Sequence, residues 1–134
     1  MKVLRKILTA KNERRAARKI EQRIEKEKLQ KIKDFAEKHK EGFTLYTSSL
    51  QEVKGSFWSV AFEATQNSFG VDGLEKAFKY AEKHGGIIGG WCHEGEYYFD
   101  ACQLIENEED AVTLGRANKQ ISIYNLETEV TIYL

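Results

Sequence analysis

The chain has 134 residues, which fits one domain plus an appendage, and its 41% apolar content supports a core without metal or disulfide staples. No apolar run approaches the roughly 18 residues of a membrane span. The net charge of zero conceals a division: residues 1–40 carry 15 Lys+Arg against 6 Asp+Glu, and residues 41–134 carry 6 against 15.

That division suggests a basic helical arm, 1–41, and an acidic α+β domain, 42–134. The opening "MKVLRKILTAKNERR" has too short an apolar segment, cut by charge, for a secretory signal, so a cytoplasmic protein is expected. No glycine occurs before Gly42 and there is no proline anywhere, while residues 12–40 are rich in Glu, Lys, Arg, Ala and Gln. These residues predict a long helix over about 11–40, with a start as early as residue 3 allowed. Its apolar positions are Ile20, Ile24, Leu29, Ile32, Phe35 and Ala36. The step from 24 to 29 breaks a heptad, which argues against a regular coiled coil. The last third is amphipathic and is expected to dock on the domain; the stretch "KNERRAARKIEQR" is polar all round and is expected to project. Arg14, Arg15, Arg18, Lys19 and Arg23 are therefore candidate contacts for nucleic acid or a protein partner, beside the plainer reading of a solvated charged helix.

Beyond Gly42 the period changes. A strand is predicted over 43–47, then a loop, then a strand over 56–64 with Trp58, Val60 and Phe62 on one side. In "TQNSFGVDG" Asp72 stands three before Glu75, the spacing of a capping box. Leu74, Ala77, Phe78 and Ala81 then recur at helical spacing, predicting a helix over 73–84 that "HGG" ends. "IIGGWCHEGEYYFDA" (Ile87 to Ala101) reads as a β-hairpin turning at "HEGE". Asn107 suits the cap of a second helix, 108–117, that buries Ala111 and Leu114. "QISIYNL" and "EVTIYL" are the last strands, joined near Glu127. From Ser56 the order is strand, helix, strand, strand, helix, strand, then one further strand. The expected fold is α+β: a ferredoxin-like βαββαβ antiparallel sheet with helices on one face, an extra C-terminal strand and the long basic helix.

Alternation divides the sheet residues between two faces. Val60, Phe62, Ile88, Phe99, Ile121, Ile123, Val130 and Ile132 are expected under the helices. Trp91, Tyr98, Asp100, Ser122, Tyr124, Thr131 and Tyr133 are expected on the opposite face. Three uses compete for that second aromatic face. It can be covered by the N-terminal helix or a second copy of the chain. It can stack bases as sheet-based RNA-binding modules do, with the basic arm neutralising phosphate. It can be a small-ligand pocket walled by Trp91 and Tyr98 with Asp100 as polar anchor. Trp91, Tyr98, Asp100, Tyr124 and Tyr133 are thus the candidate partner or ligand face.

No catalytic or metal set emerges. Cys92, His93, His84 and Cys102 match none of the usual zinc spacings. Cys92 and Cys102 fall on opposite faces of the hairpin, which disfavours a disulfide. The carboxylates Glu106, Glu108, Glu109 and Asp110 gather at a helix start, where negative charge suits the helix dipole. "HGGIIGG" precedes a strand rather than a helix and so does not form the usual phosphate-cradling turn. A non-enzyme without cofactor or metal is expected.

The stretches "ATQNSFGVDGLEKA", "GGWCHEGEYYFDACQLIENEEDA" and "NKQISIYNLETE" resemble small uncharacterised proteins of Bacteroidales phages and mobile elements. That family pairs a Gly-Trp strand with a Tyr-Tyr-Phe-Asp strand, followed by an Ala-containing helix and a Gln-Ile strand. The likeness covers about residues 57–134 and implies a bacterial or phage cytoplasmic accessory protein, without supplying an activity or a site. The expected function is an interaction module that regulates or inhibits a host protein, with self-association as another possible contact and no membrane partner. Its rivals are nucleic-acid binding through the basic helix and small-ligand capture on the aromatic sheet face.

Overall fold

The computed structural model describes residues 2–134. The unbroken run of helix formers folds as α1 (Lys2–Lys38), longer at its start than the sequence pattern requires. Its last third supplies the core contacts: Ile32 and Ala36 are buried, and Leu29 and Phe35 pack partly beside them. Gly42, at φ 119°, turns the chain out of the helix.

The chain continues as β1 (Phe43–Tyr46), β2 (Trp58–Ala61), α2 (Gly70–Lys83), β3 (Ile87–His93), β4 (Glu96–Ile105), α3 (Glu108–Ala117), β5 (Ser122–Asn125) and β6 (Thr131–Tyr133). One six-stranded sheet results, in the order β1-β3-β4-β2-β5-β6, with every pairing antiparallel. The fold is α+β. Its strand order differs from that of the four-stranded unit expected from sequence, because β1 is added beside β3; β6, beside β5, is the further C-terminal strand.

Both shorter helices cover one sheet face. Leu74, Ala77, Phe78 and Ala81 of α2 pack on Ile88, Phe99 and Ala101, with Phe43 and Leu45 of β1 and the docked end of α1 completing the cluster. Ala111 of α3 meets Trp58, Val60 and Ile123. Gly115 brings α3 close, since a Cβ there would stand 2.6 Å from Leu134 Cδ1 and 2.9 Å from Ile123 Cγ2. Asn107 caps α3 as its position suggested, its side chain accepting from the Asp110 amide at 2.9 Å. The hairpin parity also stands: Trp91 is paired with Tyr98 and Cys92 with Tyr97.

Several boundaries differ from the sequence reading. The hairpin turn is Glu94–Gly95 alone, both at positive φ (51° and 83°), because His93 and Glu96 are already paired. Asp72 is not the cap of α2; the helix begins at Gly70 with Phe69 as N-cap, and Asp72 lies in its first turn. β2 ends at Ala61, so Phe62 lies past the strand, where its ring meets Tyr80 edge-on at 5.3 Å. Ile121 and Val130 were expected under the helices but are 43% and 48% exposed, because each precedes its strand and escapes the alternation.

Candidate functional site

Among the described residues no helix covers the opposite sheet face. Docked beside α2 on the helical side, α1 leaves Trp91, Tyr98 and Tyr124 uncovered, so burial of that face by the N-terminal helix does not occur. What partly covers it is the connection between β1 and β2. After Leu50 (φ 58°) the chain doubles back along β1, with the Tyr46 amide donating to Gln51 O at 3.0 Å and the Val53 amide to Thr44 O at 2.9 Å. Val53 then packs on Ile87 and Cys102, with Ala61, Leu104 and Leu126 alongside. This small second core seals one end of the face.

The rest is a cleft of about 850 Å³. Gly89, Asp100, Cys102, Ser59 and Ala61 form its floor, and Trp91, Tyr98 and Tyr124 contribute aromatic walls. Gly89 keeps the floor low, since a Cβ there would stand 2.9 Å from Cys102 Sγ. Its volume falls within the roughly 300–1,000 Å³ of small-molecule sites.

A break in the sheet shapes the end of the cleft near Asp100. Phe62 makes the last ladder bond with β4, its amide donating to Ala101 O at 2.9 Å. A short 3-10 turn, Glu63–Thr65, then lifts the chain away. The Ala101 amide donates instead to Thr65 Oγ1 at 3.0 Å, and pairing resumes only where the Phe99 amide donates to Ser68 O at 2.9 Å. The excursion sets Gln66 and Asn67 at the cleft, with Asn67 in the left-handed region (φ 59°) that asparagine tolerates. Gln66 Nε2 donates to Lys119 O at 2.9 Å, and Asn118 Nδ2 donates to Ala61 O at 3.0 Å. These bonds tie the α3–β5 connection to the same rim.

Asp100 is the chemically distinctive group. Among the described residues no donor bonds its carboxylate, and burial alone pushes it up to about 7. Its side chain remains partly open to the cleft, yet the surrounding floor and walls remove most of the water that would solvate a charge. Cys102, next along the same face of β4, is pushed up to about 12 by burial and then by Asp100, so it is a thiol at neutral pH.

Of the residues read from sequence as one face, Trp91, Tyr98, Asp100 and Tyr124 line the cleft together. Tyr133 does not; it stands on the edge strand, 67% exposed. Tyr98 also carries the Phe69 ring edge-on at 4.6 Å, which steadies the wall. Arg14, Arg15, Arg18, Lys19 and Arg23 are all exposed on α1. Arg15, Lys19 and Arg23 follow one another at i,i+4 and so form a line along the helix. Ser59, Gln66, Asn67, Cys102 and Gln120 were not foreseen as cleft residues. Two free thiols, Cys92 and Cys102, are present. Among the described residues no group of three or more His, Cys, Asp or Glu is placed to hold a metal ion, and no helix is long and apolar enough to cross a membrane.

Neither a family model, nor a curated protein, nor a solved structure matches this chain.

Proposed function

We propose that this protein is a small-ligand-binding domain whose site is the helix-free sheet face. The observation that carries this reading is the unpartnered Asp100 carboxylate on the floor of an aromatic-walled cleft of about 850 Å³. A recessed acid without a partner lowers stability, and such groups concentrate at functional sites. Aromatic walls with a few convergent polar groups are the usual composition of a ligand site. Cys102, beside Asp100 on the cleft floor, is held as a thiol and so is not an activated nucleophile.

On this reading the middle strands β3-β4-β2-β5 with α2 and α3 constitute a ferredoxin-like unit that β1 and β6 widen. The support is the run strand, helix, strand, strand, helix, strand from Trp58 to Asn125, with both helices on one face. The sequence resemblance would place such a binding domain among accessory proteins of Bacteroidales phages or mobile elements.

A fragment screen followed by amide and indole NMR shifts tests the site. Binders should move Trp91, Tyr98 and Gln66 while leaving the helix-side Trp58 indole in place. Binders that map only to α1, or a screen without binders, would sink the reading.

A further inference from the structure

Resting on the ligand-pocket reading above, we propose that the occupant is a small organic cation, its ammonium group held at Asp100 and its aromatic or branched body against Trp91 and Tyr98. The geometry of the cleft selects this chemistry in three ways. Among the described residues Asp100 has no basic partner, so a positive charge is what its carboxylate lacks. The other charged groups lining the cleft are the carboxylates of Glu41, Glu52, Glu127 and Glu129, against Lys54 and His39. His39 is already engaged, its Nδ1 lying 3.0 Å from Glu41 Oε1. An anion therefore meets a negative field, and a neutral ligand leaves Asp100 desolvated and unpaired.

The walls supply the third argument. Trp91 and Tyr98 lie 6.1 Å apart between ring centroids at 35°, a tilted pair on the same strand register. An ammonium group at Asp100 that lies over the face of either ring gains cation–π attraction, strongest where water is excluded. Gly89 and Ala61 leave the floor around Asp100 without bulky side chains, so a substituted head can reach the carboxylate.

A pH dependence follows. The cation favours the carboxylate form of Asp100, whose burial holds it up to about 7. Affinity for a permanent cation should rise about tenfold per pH unit below that value and level off above it. Cys102 adds no charge there, since it is held up to about 12. The other titratable groups that line the cleft with Asp100 are Glu41 and His39 before β1, Glu52 and Lys54 in the β1–β2 connection, and Glu127 and Glu129 between β5 and β6.

Calorimetric titration of the full chain with benzyltrimethylammonium, benzyl alcohol and benzoate tests the assignment, with the Trp91 indole NMR signal read in parallel. Benzyltrimethylammonium should bind at least tenfold tighter than the alcohol, and benzoate should not bind. Asp100→Asn should weaken the cation at least tenfold at pH 8 and abolish the rise with pH. N-acetyl-lysinamide, which stands for a protein lysine, should bind more weakly than benzyltrimethylammonium; equal or tighter binding would overturn the small-molecule assignment. Equal affinity for cation and alcohol, unchanged in Asp100→Asn, would overturn the cation inference while the pocket stands. If no probe moves the Trp91 indole and the fragment screen also fails to reach the cleft, the pocket reading itself falls.

Discussion

The Thr65 hydroxyl accepts a hydrogen bond from the Ala101 amide at 3.0 Å, and so takes the place of a strand at the point where β2 leaves β4. Thr65 is fully buried, and its own hydroxyl proton is directed to Phe62 O at 3.4 Å. The side chain closes the sheet on the core side while the backbone moves away and leaves room for the cleft. Thr65→Val keeps the shape and removes the acceptor. It should destabilise the fold by about 1–3 kcal/mol, the cost of a buried amide without a partner, and Thr65→Ser should lose less. Urea denaturation measures both; a Val variant as stable as wild type would mean the Ala101 amide finds another acceptor.

Asp100 makes stability depend on pH. Its folded-state value of about 7 lies above the roughly 3.9 of an unfolded aspartate, so folding favours the protonated form. The stability that this proton preference contributes is present in full below about pH 4 and is lost as pH rises to about 7. Asp100→Asn should therefore stabilise the protein at pH 8, by about 2 kcal/mol after allowance for the open side of the cleft, and change little at pH 4. Urea midpoints at the two pH values check the sign. Equal effects at both would show that Asp100 does not change charge state between them.

Gly115 and Leu134 should be coupled. Gly115→Ala gains helix propensity of about 1 kcal/mol but puts a methyl 2.6 Å from Leu134 Cδ1, and overpacking of this kind costs about 1–3 kcal/mol. A net loss of about 1 kcal/mol is expected in wild type. In a Leu134→Ala background the same change should cost less, because the nearer of the two obstructing side chains is gone and only Ile123 Cγ2, at 2.9 Å, remains. Additive effects in the double-mutant cycle would refute the close packing of α3 on β5 and β6.

Removal of residues 1–27 should leave the domain folded. The core contacts of α1 come from Leu29 to Ala36, and Lys28 Nζ donates to Thr47 O at 3.1 Å. Circular dichroism melting should show a transition within a few degrees of the full chain. If the exposed line of Arg15, Lys19 and Arg23 contacts phosphate, single-stranded DNA binding by the full chain should weaken steeply with salt and vanish in the truncated form. Undiminished binding after truncation would exclude the arm as the contact.

The sequence by itself determined the features that depend on near neighbours. The α3 boundaries followed from Asn107 and the Ala111/Leu114 spacing, and the shared face of Trp91, Tyr98 and Asp100 followed from strict alternation across a short turn. The docking of Leu29 to Ala36 followed from helical periodicity. Each rests on interactions within a few residues, where bond geometry leaves few alternatives. Only the tertiary structure decided which side α1 covers, that β1 extends the sheet beside β3, and that Thr65 replaces a ladder bond. Ile121 and Val130 were misplaced because alternation holds only within a strand, and the strand ends were set by pairing partners distant in the chain. The same reason hid the site. Alternation put Asp100 on the second face, but the cleft in which it is recessed is lined also by Val53, Gln66, Asn67, Tyr124 and the β5–β6 turn, which come from separate parts of the chain. A side chain's solvation is a property of everything that surrounds it in space, and no local pattern carries that.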